Sequence, residues 1–160
     1  MRRAIAARVE YNGPVLRVRP ATLDDVPAVL PRTRALNAHE GIAVSDEVLD
    51  AALRRLLGDP SLGGVWLVED DGVIGYAIVA FSYDLEFGGR DSYLTELWID
   101  EAQRGRGAGS AALELVLDEV RARGIRALHL QVRPENPARK LYERSGFVAS
   151  PRVVMTRRLV

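Results

Sequence analysis

The sequence predicts an α/β chain whose sheet is mixed and mostly antiparallel, and two features of the chain support this prediction. Three β-rich runs follow one another through residues 65–100, and the Asp-Gly of "DDG" between the first two is typical of a tight hairpin. A strand, a helix and another strand then follow in residues 92–132, which is the order of a parallel crossover. A sheet with both kinds of connection must pair some strands antiparallel and some parallel.

Composition limits the class of protein. The chain has 160 residues, of which 22 are basic and 22 acidic, and this size is that of one domain. The balanced charge argues against a nucleic-acid binder, and no apolar run reaches the roughly 20 residues of a membrane span. Because the chain has no cysteine, disulfides, thiolate metal sites and a cysteine nucleophile are excluded. We expect a cytoplasmic protein without a metal.

The first part of the chain is predicted to hold an extension, a strand and two helices. Residues 1–14 lack the apolar centre and cleavage site of a signal peptide, so we expect a loosely held and flexible extension. Apolar and basic residues alternate over residues 15–20, which indicates a short strand. A helix follows with Thr22 as its N-cap, and a second helix begins near Ser45, with acidic residues in its first turn.

The rest of the chain alternates predicted strands and helices. The helix that follows residue 109 is expected to end at Gly124. A short later helix is expected to have Asn136 as its N-cap, Pro137 at its first position and Gly146 after its last turn. Strands are predicted at residues 65–69, 73–83, 92–100, 125–132 and 152–159.

The stretch "RGRGAG", residues 104–109, stands directly before a helix. A helix N-terminus offers unpaired N–H groups and the positive end of the helix dipole, and glycines let a phosphate approach the backbone. The stretch lacks the Gly-Lys-Ser/Thr ending of a P-loop, and Ser110 stands where a dinucleotide fingerprint needs its third glycine. We therefore predict a binding site for a diphosphate, with a simple chain-reversing turn as the alternative.

Three motifs in register resemble the GNAT superfamily of N-acetyltransferases. Its R-x-x-G-x-G/A signature is present as Arg104, Gly107 and Gly109. "LRVRPATLDDVPAV" resembles the first strand and helix of that family, and "NPARKLYERSGF" resembles a later helix. The resemblance implies one N-acetyltransferase domain over residues 15–160, with a sheet of six to seven strands flanked by about four helices.

The resemblance also implies acetyl-coenzyme A as the acetyl donor. The carbonyl oxygen of its thioester is expected to meet the N–H of Ile99 or of a neighbour. Asn136 is expected to be a further cofactor contact. The pantetheine arm is expected along Leu97, Trp98 and Ile99, and the diphosphate on the backbone of Arg104, Gly105, Arg106, Gly107, Ala108, Gly109 and Ser110.

Tyr142 and Glu96 are the candidate catalytic residues. A phenol with a pKa of about 10 can protonate a departing thiolate, and the resemblance gives Tyr142 this role, with simple packing as the alternative. In a regular strand Glu96 would share a face with Leu94 and Trp98, and apolar neighbours would raise its pKa toward that of a useful base. A bulge would change that facing, and a structurally paired glutamate is the alternative.

The acceptor is expected to be a small primary amine or a polyamine-like molecule. Asp84 and Glu86, in the loop of residues 82–91, could attract such a cation, although a solvated loop is equally compatible with the pattern. His39 and Glu40 raise the same question, but residues there are more often surface or capping groups. The alternative functions are acetylation of a protein at an α-amine or lysine and a non-catalytic module that binds coenzyme A. A homodimer is expected because members of the family it resembles are often dimers.

Overall fold

A computed structural model describes residues 8–9, 11–13 and 15–159 of the chain. The described residues form one six-stranded sheet in which the strands lie side by side in chain order. The strands are β1 (Arg8–Val9), β2 (Leu16–Pro20), β3 (Gly63–Glu69), β4 (Val73–Asp84), β5 (Gly89–Ile99) and β6 (Ala127–Leu130). The helices are α1 (Val26–Glu40), α2 (Asp46–Gly58), α3 (Ala108–Ala122) and α4 (Arg139–Arg144).

The sheet is mixed, as the sequence predicts. Neighbouring strands from β1 to β5 pair antiparallel, and β6 then pairs parallel to β5 after the crossover through α3. The strand predicted at residues 152–159 is wrong, because none of these residues belongs to a strand and Met155 is 89% exposed. Residues with a high strand propensity form a strand only when a neighbouring strand pairs with them. Here the Arg152 side chain instead donates a hydrogen bond to Glu86 at 2.6 Å.

The helix ends mostly follow their predicted signals. The backbone N–H of Thr22 donates to Asp25 Oδ2 at 2.8 Å in a 3-10 turn that leads into α1, and Ser45 Oγ accepts from the Val48 N–H at 3.4 Å at the start of α2. The predicted start of the last helix is wrong. Asn136 Oδ1 accepts from the Ala138 N–H at 2.9 Å, and this local turn delays α4 until Arg139.

Each face of the sheet carries its own apolar cluster. The first cluster packs α3 against one face, with Leu94, Ala112 and Val116 among its buried side chains. The second cluster packs α1 and α2 against the other face through Val29, Leu53 and neighbouring strand residues. The helices therefore cover both faces of the central strands.

A β-bulge in β5 decides which face its side chains meet. Ile78 of β4 pairs with Glu96, but the next residue of β4, Val79, pairs with Leu94, so Thr95 is the extra residue. Glu96 consequently shares a face with Trp98 and the second cluster, whereas Leu94 belongs to the first. The expectation that Glu96 and Leu94 share a face is therefore wrong, and the single extra residue is the reason.

The predicted extension falls largely outside the described residues. In its described part, Arg8–Val9 pairs with β2, and the Tyr11 hydroxyl donates a hydrogen bond to Asp70. The predicted domain boundary at residue 15 stays a prediction. Within the described ranges, no helix is both long and apolar enough to cross a membrane.

Candidate functional site

One large pocket, with a volume of about 980 Å³, opens beside the C-terminal half of β5. Its walls are the end of α1, the strand segment after the bulge, the start of α3, the residues after β6, and α4. This volume lies within the range of small-molecule and cofactor sites. Its lining includes Glu40, Glu96, Ile99, Arg104, Gly107, Arg133 and Tyr142.

The pocket exists because β5 and β6 part. Their parallel pairing ends at Leu94 and Leu130, which is the point where the bulge begins. The Asp100 N–H donates to Ile74 O on the β4 side at 2.8 Å. Because backbone N–H groups alternate in direction along a strand, the N–H of Ile99 points to the opposite side, toward the pocket. The edge of β5 thus offers backbone groups to a molecule lying in the pocket.

The glycine stretch forms the opposite wall and leads directly into α3. Gly105 and Gly107 have φ angles of 77° and 85°, a backbone conformation that residues other than glycine rarely adopt. Gly107 is the N-cap, and its carbonyl accepts from the Ala111 N–H at 3.0 Å. The N–H groups of the first turn of α3 have no partner within the helix, so this wall is suited to an anion.

Gly109 serves the packing of the pocket. A Cβ atom at this position would lie 3.2 Å from Leu141 Cδ1, so the absence of a side chain lets α4 approach α3 closely. This contact holds α4, and with it Tyr142, against the start of α3.

The two arginines of the stretch have different surroundings. Arg104 lines the pocket, donates from Nε to Ile99 O at 2.8 Å and places its guanidinium 4.4 Å from the centre of the Trp98 ring. It therefore ties the loop to the end of β5. Arg106 is not among the lining residues and lies near Tyr11 instead.

Glu96 of β5 lines this pocket and has a buried hydrogen-bond partner. The hydroxyl of Tyr76 donates a hydrogen bond to Glu96 Oε2. Burial raises the pKa of Glu96 above its ordinary value, and the hydrogen bond from Tyr76 opposes that rise. A carboxyl group in this setting is a better base near neutral pH than an exposed glutamate.

Tyr142 lines the pocket from α4. Its ring meets that of Phe147 edge to face, with 5.9 Å between centroids. Burial raises the pKa of Tyr142, and the negative charge of Glu40 adds to the effect. The phenol therefore keeps its proton throughout the neutral range.

The structure brings most of the predicted site residues together. Besides Glu96 and Tyr142, the lining includes Leu97, Trp98, Ile99, Arg104, Gly105, Gly107, Ala108, Gly109, Ser110 and Asn136. Asp84 and Glu86 do not line the pocket, because their loop joins the far end of β5 from Ile99. Asp84 instead accepts from the Glu86 N–H at 2.8 Å, and Glu86 pairs with Arg152.

Glu40 is a pocket residue that sequence reasoning set aside. Arg133 donates to the carbonyl of Glu40 at 3.0 Å, and its Nε lies 3.6 Å from Glu40 Oε2. This contact joins residues 93 positions apart across the pocket, so no local sequence pattern could have indicated it. Among the described residues, no group of three or more His, Asp or Glu side chains is arranged to hold a metal ion.

Comparisons with known proteins agree with this architecture. The mycothiol acetyltransferase of Beutenbergia cavernae is 41% identical over 90 residues, which are 56% of this chain and 29% of that protein. The [ribosomal protein bS18]-alanine N-acetyltransferase of Haemophilus influenzae is 32% identical over 81 residues, about half of each chain (51% of both). The chain thus spans 29% of one of these curated relatives and 51% of the other.

A solved structure and a family model extend the likeness to most of the chain. The crystal structure of a predicted acetyltransferase from Clostridium acetobutylicum with acetyl-CoA has a TM-score of 0.74 and 21% identity, covering 89% of this chain and 96% of that one. The model of the acetyltransferase (GNAT) family matches residues 32–147. The matched region includes β5 and β6, the glycine stretch of residues 104–109, and α4 with Tyr142. The chain belongs to the GNAT family of acetyltransferases.

Proposed function

We propose that this chain transfers the acetyl group of acetyl-coenzyme A to a primary amine. The observation that carries the proposal is the composition of one pocket. A carboxylate with a raised pKa, Glu96, and a protonated phenol, Tyr142, line the same space as the anion-binding start of α3. A module that only bound coenzyme A would need neither of the first two groups.

The residues present fit the donor. The N–H groups at the start of α3 and the side chain of Arg104 would hold the diphosphate. The open edge of β5 at residues 97–99 would pair with the amide groups of the pantetheine arm, as an added strand would. The family model and the acetyl-CoA in the Clostridium acetobutylicum crystal support this choice of donor.

The reaction is then a direct attack of the amine nitrogen on the thioester carbonyl carbon. A C–N bond forms and the C–S bond breaks, while the N–H of Ile99 donates to the carbonyl oxygen. Glu96 accepts protons from the amine, directly or through one water, and Tyr142 gives its phenolic proton to the departing sulfur. Counted from its ammonium form, the acceptor nitrogen loses two protons, of which one restores Tyr142 and the other goes to solvent.

Replacing Glu96 tests the proposed base. The active form is the carboxylate, so kcat/KM should rise as pH rises through the pKa of Glu96, which lies above 4.5. We expect Glu96→Gln to lower kcat/KM by about 100-fold near pH 7 and to remove this acid limb. The measurement is a pH–rate profile for both proteins with one acceptor. If the acid limb were unchanged in the variant, it would reflect ionisation of the acceptor, and this result would contradict the role of Glu96.

The acceptor is proposed to be a small amine with more than one positive charge. Two carboxylates, Glu40 and Glu96, line the pocket, and the carboxylate of Glu40 forms a long ion pair of 3.6 Å with Arg133. A second ammonium group of the acceptor could therefore pair with Glu40 while the first faces Glu96. The names of the relatives mention a small molecule, mycothiol, in one case and an alanine of ribosomal protein bS18 in the other, so they do not choose between a small molecule and a protein as acceptor.

Replacing Glu40 tests this choice of acceptor. We expect Glu40→Gln to raise KM for a diamine about fivefold, the effect of losing one partly exposed ion pair, and to change KM for a matched monoamine less. Glu143→Gln is the matched control, because Glu143 also pairs with an arginine but lies outside the pocket lining. Equal changes for diamine and monoamine would contradict a direct contact with Glu40.

The function itself is tested by following coenzyme A release with a panel of acceptors. The panel holds monoamines, polyamines, peptides with free α-amines and peptides with lysine. Release with the small amines alone supports the proposal, and release with the peptides alone favours a protein acceptor. Binding of acetyl-coenzyme A without release in any arm would overturn catalysis and favour a binding module.

A further inference from the structure

The hydrogen-bond partner of Glu96, Tyr76, is a residue that the sequence analysis did not identify as a site residue. Tyr76 lies near the start of β4 and is fully buried. Its hydroxyl donates to Glu96 Oε2, and the hydroxyl of Thr33 in α1 lies beside it. Thr33 is itself buried, at 6% exposure, and donates to Val29 O at 3.3 Å. Three elements, α1, β4 and β5, thus meet around the Tyr76 hydroxyl.

We propose that Tyr76 is a positioning residue that holds the Glu96 carboxylate in place for proton transfer. This inference rests on the proposed function, in which Glu96 is the base. It goes beyond that function because Tyr76 is not among the residues that line the pocket.

The position of Tyr76 in the sheet follows from the bulge. Tyr76 pairs with Trp98 across β4 and β5, and Ile78 pairs with Glu96, so Tyr76 and Glu96 are diagonal neighbours on one face. Diagonal neighbours lie within reach of an aromatic side chain. Without the extra residue at Thr95, Glu96 would face the other cluster and would lose this partner.

Burial explains why the contact is maintained. A phenol buried among the apolar side chains of the second cluster needs a hydrogen-bond acceptor, and the Glu96 carboxylate provides one. In return the hydrogen bond favours the ionised form of Glu96 and restricts the rotation of its carboxylate. With Oε2 occupied by Tyr76, Oε1 is the oxygen that meets the proton of the acceptor.

The test is Tyr76→Phe, which removes one oxygen atom and keeps the ring. We expect kcat to fall at least about tenfold, the lower limit for the loss of one hydrogen bond to a charged group, with the affinity for acetyl-coenzyme A unchanged. The acid limb of the pH–rate profile should move to higher pH, because Glu96 loses a hydrogen bond that lowers its pKa. Other titratable groups in the pocket lining are unaltered: His39, Glu40, Arg104, Arg133, Tyr142 and Arg144. Tyr83→Phe is the matched control, since Tyr83 lies on the same strand and is 69% exposed.

A double-mutant cycle separates positioning from a structural role. If Tyr76 acts through Glu96, its replacement should change kcat little in the Glu96→Gln background. A tenfold loss in both backgrounds would overturn the proposal. Unfolding temperatures of all four proteins account for any loss of folded protein.

A direct titration keeps this inference distinct from the proposed function. The pKa of the Glu96 carboxyl can be followed by NMR in wild type and in Tyr76→Phe without any acceptor. We expect a higher pKa in the variant, and an equal pKa would overturn the contact. If no amine were acetylated, the proposed function would fail while this measurement still decided whether Tyr76 holds Glu96.

Discussion

Tyr142→Phe is expected to lower kcat by about 10³-fold, within the range measured for loss of a general acid. The variant loses only the phenolic hydroxyl, so the ring contact with Phe147 and the packing of α4 on α3 remain. Binding of acetyl-coenzyme A should be unchanged, because its proposed contacts lie on β5 and the start of α3. Steady-state kinetics and a binding titration on the same preparation check both halves of the prediction.

The leaving group offers a sharper version of the test. An acetyl thioester of a low-pKa thiol needs little protonation as the C–S bond breaks, so the loss in Tyr142→Phe should shrink with such a donor. Tyr93→Phe is the control, since Tyr93 is a partly exposed tyrosine on β5 outside the large pocket. Equal turnover in wild type and Tyr142→Phe would leave Tyr142 with a packing role alone.

The parts of the site that were predictable from the sequence are those with local signals. The glycine-rich start of α3, proposed as the anion site, has its glycines and its helix start within six residues, and the structure places Gly107 at the N-cap. The mixed sheet was predictable because a hairpin turn and a crossover each leave a pattern in a short window. Gly124 and Gly146 end their helices with positive φ angles for the same reason.

The parts that were not predictable depend on pairing between distant segments. The bulge at Thr95 is a property of the β4–β5 register, and without it the facing of Glu96 was assigned by simple alternation. Glu40 lines the pocket because α1 packs on the second cluster. Asp84 and Glu86 lie away from the pocket because the 11 residues of β5 separate their loop from the end of the strand at Ile99. Tyr76 lies in a continuous apolar run, where one hydroxyl gives no signal until its partner is known.

Among single substitutions in the glycine stretch of residues 104–109, the largest expected effect is a loss of acetyl-coenzyme A binding. Gly107→Glu should weaken binding of acetyl-coenzyme A by at least about 10³-fold, equivalent to the loss of two charge-assisted hydrogen bonds. A Cβ atom at Gly107 would meet no atom within 4 Å, so the new side chain would have open space around it at a residue that lines the pocket. Its carboxylate would then compete with the diphosphate for the N–H groups of α3 and repel it.

Backbone strain has to be separated from this charge effect, because Gly107 has a φ angle of 85°. Gly124→Glu is a matched control: Gly124 has a φ angle of 74°, also has no neighbouring atom within 4 Å of a Cβ, and lies at the opposite end of the same helix. Both variants should lose a similar free energy of unfolding, about 1–2 kcal/mol, from the left-handed conformation. Gly107→Ala, which has the strain without the charge, should lose much less affinity than Gly107→Glu. Isothermal titration with acetyl-coenzyme A measures all three variants. Retained binding in Gly107→Glu would place the diphosphate elsewhere, whereas equal losses in Gly107→Glu and Gly124→Glu would attribute the effect to strain in α3.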